Sequence, residues 1–434
     1  MARRLDIHER EFEAHFRTLL SLKRESAPDV RDTVATILAD VKANGDAALA
    51  AYTRRFDRFD VETNGLAITS AELDAAVEAV DADTLAALRV AASRIRAYHE
   101  RQRPAGFSFT DEAGIHLGER WTAVDAAGLY VPGGLASYPS SVLMNAIPAA
   151  VAGVGRVVMV VPTPEGVTNP LVLAAAREAG VTEIYRVGGA QAVAALAFGT
   201  ATIAPVDKIV GPGNAFVAEA KRQVFGTVGI DSIAGPSEIL VVADNRNDPA
   251  WIAADLLSQA EHDTAAQSIL ITDDAAFADA VAAAVEAHLA TLPRAAIARE
   301  SWETNGAIIT VESFDAALPL IDRIAAEHLE LAIKGAEAFA ARVRHAGAIF
   351  IGRLTPEAIG DYIAGPNHVL PTSRTARFSS GLSVYDFMKR TTFVQMNDEG
   401  LRAIGPSAVK LAEAEGLGAH ALSVAIRLPE KQGG

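Results

Sequence analysis

The alternation of short apolar runs with helical stretches constrains the fold of this chain more than any other feature. From about Trp121, the runs "VGRVVMVVPTP", "TEIYRVGGA" and "DKIVGPGN" are each followed by residues with apolar positions at helical spacing. A second series begins near Ile230 and includes "SEILVVAD" and "QSILITDD". Parallel strands need long crossover connections, which are usually helices, so this alternation predicts parallel sheets covered by helices.

The segments outside these two series have mostly helical patterns. The early stretch "DVRDTVATILADVKANGDAAL" has apolar residues at helical spacing, and the chain turns helical again beyond Ser383. We therefore predict an α/β fold with two Rossmann-like parallel-sheet domains and helical N- and C-terminal segments. The expected division is an N-terminal helical segment (1–25), a discontinuous first α/β domain (26–115 plus 236–380), a second α/β domain (116–235) and a C-terminal helical segment (381–434).

Composition narrows the possible functions. The 434 residues carry a net charge of −15, which argues against binding to nucleic acid or to an anionic membrane surface. The longest apolar stretch is interrupted by Pro148, Arg156 and Pro162, so no membrane span is expected. The first residues contain no apolar signal region, which favours a cytoplasmic protein. The absence of cysteine excludes disulfides, thiolate metal sites and cysteine nucleophiles.

The letters A-E-H occur twice, and their surroundings differ. In "LLSQAEHD", Gln259 and His262 lie three residues apart near the end of a predicted helix, so they share a face and could form half of a metal site. In "IAAEHLEL", Glu327 and His328 are adjacent and point in different directions, which suits two separate proton carriers better than a chelate. On local grounds alone, ordinary polar helix ends are the favoured explanation of both pairs.

Two further segments combine acidic residues, histidine and glycine. Asp361 and His368 lie in "GDYIAGPNHVLPT", which we predict to be a loop, and Glu415 and His420 flank a helix break in "EAEGLGAHAL". Ordinary turn chemistry is the alternative for each.

Glycine-rich turns follow several predicted strands and could bind a nucleotide. They comprise Tyr130 to Gly134, Gly188 to Gln191, and Gly211 to Asn214. A glycine-rich turn that opens a helix presents backbone N–H groups to an anion. None of the three turns completes G-x-G-x-x-G. In the turn with Gly211 and Gly213, Phe216 stands where the third glycine belongs. Tight turns at strand ends are the competing explanation.

Taken together, these segments resemble the histidinol dehydrogenase family. The resemblance runs in order from about residue 120 to the end and includes "YPSSVLMNAIPA", "VGPGNAFVAEAKRQV", "IDSIAGPSEILVVAD", "DLLSQAEHD", "AAEHLEL", "GDYIAGPNHVLPT", "GLSVYDFMKR" and "EAEGLGAHA". Members of this family oxidise L-histidinol to L-histidine through L-histidinaldehyde in the last steps of histidine biosynthesis, using zinc and NAD. The resemblance implies the same four-electron oxidation here.

The resemblance also implies roles for individual residues. The zinc ligands would be Gln259, His262, Asp361 and His420, an all-nitrogen-and-oxygen set that is acceptable for zinc and would also suit manganese. NAD would contact Tyr130, Gln191 and Asn214, and Glu327 and His328 would be the acid/base pair. Histidinol would be held by Ser237, Gln259, His262, His328, Asp361, His368, Glu415 and His420. The C-terminal segment of one subunit would reach the site of its partner, which implies a homodimer with shared active sites. Glu261 would then point away from the site.

The absence of cysteine fits this chemistry, since the aldehyde must be oxidised as a hydrate and not as a hemithioacetal. His328 is expected to take the alcohol proton, because an imidazole titrates near neutrality, and Glu327 to activate water. Zinc is expected to clamp the substrate. The rival interpretations are a related dehydrogenase of other small alcohols, a zinc hydrolase with Glu327 or Glu261 as base, and a non-catalytic metal-binding protein. Glu415 favours histidinol, because a carboxylate suits a cationic substrate.

Overall fold

A computed structural model describes residues 2–22, 30–133, 138–233 and 235–428. The chain forms two compact units. The first comprises Met1–Gln102 and Asp125–Phe387, and the second comprises Arg103–Val124 and Met388–Gly434. Within the described ranges, no helix is both long and apolar enough to cross a membrane.

The strands are β1 (Arg3–Asp6), β2 (Phe107–Thr110), β3 (His116–Ala123), β4 (Ala126–Tyr130), β5 (Arg156–Val160), β6 (Glu183–Tyr185), β7 (Lys208–Val210), β8 (Gly229–Ile230), β9 (Glu238–Ala243), β10 (Gln267–Thr272), β11 (Ala307–Thr310), β12 (His328–Ala332), β13 (Ala348–Ile351) and β14 (Met388–Gln395).

The α-helices are α1 (Phe12–Ser21), α2 (Arg31–Asn44), α3 (Asp46–Phe56), α4 (Val61–Asn64), α5 (Ser70–Ala79), α6 (Ala82–Glu100), α7 (Pro139–Ala152), α8 (Pro170–Ala179), α9 (Gly189–Phe198), α10 (Ala215–Val224), α11 (Pro249–Ala260), α12 (Ala275–Leu289), α13 (Ala295–Asn305), α14 (Phe314–Ile324), α15 (Ala336–Ala340), α16 (Glu357–Tyr362), α17 (Asp398–Ala414) and α18 (Gly418–Ala425). Short 3-10 turns occupy Pro164–Gly166, Thr375–Arg377 and Val384–Phe387.

Two parallel sheets form the first unit. One has the strand order β1-β11-β10-β9-β12-β13 and the other β6-β5-β4-β7-β8, and all of their pairings are parallel. Every residue of β9 is buried, with Leu240 and Val242 in one apolar cluster and Ile239 and Val241 in another. A strand buried on both faces needs helices on both sides of its sheet. The predicted α/β class with parallel sheets is confirmed, and both sheets lie in one compact unit.

Local signals explain where several helices begin and end. Asp248 accepts a hydrogen bond from the Ala250 N–H, and Pro249 is the first residue of α11. In this cap, proline sits where its missing N–H costs nothing. Gly180 ends α8 in the left-handed conformation, which glycine adopts without steric cost.

The segments at both ends of the chain contain strands as well as helices. β1 lies within the N-terminal segment that was predicted to be helical, and it pairs with β11. In the second unit, β14 pairs antiparallel with β3, and β3 pairs with β2. The sequence of β14, "MKRTTFVQ", has exposed residues on both faces, so no apolar period marks it. Its partner lies far away along the chain, which local patterns do not reveal.

The helices of residues 30–100 belong with the five-stranded sheet. α2 and α3 pack on α9, and α5 packs on α8. Val34, Ile37 and Leu49 join the same apolar cluster as Val158 and Val160 of that sheet. From the sequence, we expected this region to belong to the same domain as residues 236–380. A helical apolar face indicates burial but does not identify the sheet that covers it.

Candidate active site

A cavity of about 530 Å³ opens in the first unit between the two parallel sheets. The loop after β7 reaches it from the carboxyl end of the five-stranded sheet, whereas the starts of β9 and β12 reach it from the amino end of the other sheet. Its lining includes eight residues singled out from the sequence: Asn214, Ser237, Gln259, His262, Glu327, His328, Asp361 and His368.

Glu327 and His328 are both oriented by the backbone of Glu238. The Glu238 N–H donates to Glu327 Oε2 over 2.9 Å. The Glu238 carbonyl lies 2.9 Å from His328 Nδ1 and can only accept, so Nδ1 carries a proton. The other ring nitrogen, Nε2, is buried without a hydrogen-bond partner. The backbone of Glu238 therefore orients both side chains, and His328, whose Nδ1 is engaged, lines the cavity with Nε2 available.

The electrostatic setting of the pair differs from the sequence-based expectation. Burial raises the pKa of Glu327 to about 7. Burial opposes charge on His328, but Glu327, Asp361 and Glu357 outweigh it and raise the pKa of the imidazole to about 10. Three carboxyl groups around one ring favour the imidazolium form. An imidazole that titrates near neutrality was expected, and the carboxyl groups of adjacent Glu327 and of Glu357 and Asp361, which are distant in sequence, are the reason for the difference.

Gln259 and His262 approach the cavity from the end of α11. Gln259 is 1% exposed, and its Nε2 donates to Glu357 Oε1 over 2.6 Å, whereas its Oε1 has no hydrogen-bond partner. Burial lowers the pKa of His262, which keeps this imidazole neutral. A neutral imidazole and a bare amide oxygen, one helical turn apart, are suitable ligands for a metal ion.

Asp361 completes this group of potential ligands. It belongs to α16, so the predicted loop contains a helix at this point. Burial opposes its charge, yet His328 and His368 hold the pKa of Asp361 well below its usual range. Ligand atoms of His328, Glu357 and Asp361 all lie within 4.8 Å of one another. Anionic Asp361 is thus placed where it could bind a cation together with nearby neutral donors.

His368 and Ser237 lie at the edge of the same cavity. His368 Nδ1 is 2.9 Å from the Asp361 carbonyl, and its Nε2 is 3.3 Å from Ser141 Oγ. The Ser237 carbonyl accepts from the Gln267 N–H at the start of β10. The Ser237 side chain is therefore presented at the point where β9 begins.

The three predicted nucleotide contacts lie at the carboxyl ends of β4, β6 and β7. The Tyr130 hydroxyl is buried and accepts from the Gly189 N–H over 3.0 Å, and burial raises its pKa to about 12. Gln191 is 2% exposed, and its Oε1 has no hydrogen-bond partner. The Asn214 side chain caps α10 by accepting from two backbone N–H groups. The "YVPGG" turn overlaps residues 134–137, which lie outside the described ranges.

Glu415 and His420 belong to the second unit. Glu415 follows the last residue of α17 and His420 lies in α18, and both are exposed.

Several residues of the site were not predicted. Glu357 and Glu238 are buried and hold predicted residues in place. Glu357 follows a proline at a helix start, where an acidic residue is usually exposed, so its burial left no trace in the sequence. Glu261, which was expected to point away, lines the cavity.

Two parallel sheets with an imidazole–carboxylate pair in the cavity between them define an α/β protein equipped for proton transfer. The family model for histidinol dehydrogenase matches residues 20–428. The chain is 68% identical over 429 residues to histidinol dehydrogenase of Rhodospirillum rubrum and 64% identical over 429 residues to that of Ruegeria pomeroyi, covering 99% of each chain in both cases. The crystal structure of histidinol dehydrogenase from Elizabethkingia anophelis matches with a TM-score of 0.94 at 36% identity, over 98% of both chains. The chain belongs to the histidinol dehydrogenase family.

Proposed function

We propose that this protein oxidises L-histidinol to L-histidine through L-histidinaldehyde, with zinc and two molecules of NAD per turnover, in histidine biosynthesis in the cytoplasm. Family membership supports the reaction. The observation that carries the residue assignment is the support of Glu327 and His328 by Glu238, in the same cavity as Gln259, His262 and Asp361.

Zinc would be held by Gln259, His262 and Asp361, together with His420 of the partner subunit. The residues present fit such an ion, because Gln259 Oε1 is buried without a partner, His262 is neutral and Asp361 is ionised. When bound, zinc supplies a clamp that fixes the imidazole and amine of histidinol. A cation bound beside Asp361 would also lower the pKa of His328 and would favour the neutral imidazole that a general base requires.

His328 acts first. With Nδ1–H held by the Glu238 carbonyl, Nε2 accepts the proton of the substrate hydroxyl. The carbinol hydride leaves at the same time, and the aldehyde forms. When bound at Tyr130, Gln191 and Asn214, NAD supplies the acceptor for that hydride.

Glu327 acts second. Its pKa of about 7 lets it accept a proton from water as the water adds to the aldehyde. The resulting hydrate carries a C–H bond and two hydroxyl groups. Transfer of a second hydride to the second NAD and loss of a hydroxyl proton would give the carboxylic acid of histidine, which releases its remaining acidic proton to water and becomes the carboxylate. No covalent enzyme intermediate is needed, in agreement with a chain that contains no cysteine.

Histidinol would be bound by Ser237, His328, His368 and the metal ligands, with Glu415 and His420 contributed by the partner subunit. The second unit supports a homodimer, because Leu411, Leu417, Leu422 and Ile426 are exposed on or beside α17 and α18. Apolar groups of this size on one surface are typical of an interface.

Removal of zinc tests the proposal directly. Protein treated with a chelator should bind histidinol at least about tenfold more weakly, and added zinc should restore the affinity. Calorimetry in the absence of NAD measures this without catalysis. Unchanged affinity after complete zinc removal would contradict the role of zinc as a substrate clamp.

A further inference from the structure

The amide of Gln259 has two chemically different ends, and only one of them can bind a cation. Its oxygen has lone pairs for a metal, whereas its NH₂ group carries two hydrogens and no available lone pair. A glutamine ligand must therefore be held with Oε1 toward the ion. Gln259 is 1% exposed, so its orientation is decided by protein groups and not by water.

Glu357 contacts the NH₂ end of this amide. Its Oε1 accepts from Gln259 Nε2 over 2.6 Å, and its Oε2 accepts from Ser258 Oγ over 3.0 Å. Because Glu357 Oε1 accepts this hydrogen bond, it holds the nitrogen of the amide on its own side and turns the amide oxygen away. Gln259 Oε1 is left buried and without a hydrogen-bond partner. Both oxygens of Glu357 already have hydrogen-bond partners, so the oxygen that remains available to a metal ion is Gln259 Oε1.

Glu357 is itself held firmly. It is 2% exposed and is the first residue of α16, the helix that carries Asp361. Its backbone N–H donates to a carboxylate oxygen of Glu330 in β12. The strand that begins with His328, the helix with Asp361 and the helix with Gln259 are thus joined through one side chain and its backbone.

We propose that Glu357 is a positioning residue that orients the Gln259 amide so that Oε1 faces the metal ion. The inference rests on the proposed zinc site. Partners that orient metal ligands typically contribute about 10–100-fold to metal affinity, although they do not touch the metal.

Competition with a chromophoric chelator measures zinc affinity without any assay of activity. Glu357→Leu should weaken zinc binding by about 10–100-fold. Glu357→Gln should stay within about threefold of the wild type, because its amide oxygen can still accept from Gln259 Nε2 while its NH₂ group faces Ser258. Ser258→Ala is the matched control and should also stay within about threefold, since it removes the other hydrogen bond of Glu357.

The double substitution separates positioning from direct ligation. In a Gln259→Ala background, Glu357→Leu should cause no further loss of zinc affinity, because the residue acts through Gln259. Thermal unfolding in chelator checks that each variant is folded. If Glu357→Leu fails to fold, Glu357→Asp makes the same test, because the shorter side chain withdraws the acceptor but keeps the charge.

The proposal would be overturned if Glu357→Leu lowered zinc affinity equally in the wild-type and Gln259→Ala backgrounds. Glu357 would then contact the metal or act through its charge. Wild-type affinity in folded Glu357→Leu would overturn it as well. A wild-type protein that binds no zinc would instead refute the proposed zinc site, an outcome distinct from any failure of Glu357.

Discussion

At the residue scale, Glu238 orients the two proposed proton carriers, Glu327 and His328. Its N–H fixes the carboxyl of Glu327 and its carbonyl fixes the tautomer of His328. The sequence singled out Glu327 and His328, and both line the cavity. Their different orientations could not be predicted from it, because the residue that sets them lies 89 and 90 positions away along the chain.

Glu327→Gln should slow the second oxidation far more than the first. The amide can still accept from the Glu238 N–H but cannot take a proton from water, so hydration of the aldehyde should lose about 10²–10⁴-fold. His328→Asn should slow the first oxidation instead. Single-turnover kinetics started from histidinol and from histidinaldehyde measure the two steps separately. Equal losses of both steps in Glu327→Gln would contradict the assignment.

A buried pair of carboxyl groups behind the site should make stability depend on pH. Burial raises the pKa of Asp255 to about 6, and the pKa of its hydrogen-bonded neighbour Glu330 is raised well above the usual range. The folded protein thus keeps protons that the unfolded chain releases, and stability present at acidic pH is lost as pH rises through about 6.

Asp255→Asn removes one of these carboxyl groups and should reduce the loss of stability that accompanies rising pH. Its stability gain over the wild type should be larger at pH 8 than at pH 5 by about 1 kcal/mol, or a degree or two in Tm. Thermal unfolding at both pH values, with chelator present, measures the difference. A gain that does not change with pH would refute the role given to Asp255.

At the scale of elements, sequence patterns predicted the strands and helix ends that depend on interactions within a few residues. The buried runs of β9 and β10 and the Asp248-Pro249 start of α11 match their patterns, because burial on both faces and helix capping act within a few residues. β14 did not show such a pattern, and the short helix around Asp361 was predicted to be a loop. Both depend on partners that are distant in sequence.

The turn after β7 depends on Gly211. This residue has a φ of 112°, and a Cβ there would overlap the carbonyl oxygen of Tyr130. Gly211→Ala should therefore push the turn away from Tyr130 and weaken NAD binding by about tenfold or more. Gly226→Ala is the matched control, because its φ of 99° imposes similar strain while its Cβ would meet nothing within 4 Å. Titration with NAD measures both variants, and equal losses would count against the role of the turn.

At the scale of the whole molecule, the proposed function depends on a homodimer. The first unit contains the cavity, and the second carries Glu415 and His420. The proposed homodimer would assign the second pair to the partner subunit. This expectation follows from the family resemblance, and subunit mixing tests it directly.

His328→Asn and His420→Ala should each be inactive alone but regain activity when mixed and re-associated. With shared sites, each hybrid dimer has one site without a substitution, so random pairing should restore about a quarter of wild-type activity. Size-exclusion chromatography confirms that hybrids form. Hybrids without activity would show that His420 serves its own subunit.

The most direct test of the central claim is the number of NADH molecules formed for each histidinol consumed. Absorbance of NADH and chromatography of histidinol and histidine, followed to completion with the zinc-loaded protein, give this ratio. Oxidation of the alcohol and then of the hydrated aldehyde predicts two NADH per histidinol, with histidine as the product. A ratio of one with histidinaldehyde as the product, or no NADH at all, would contradict the account.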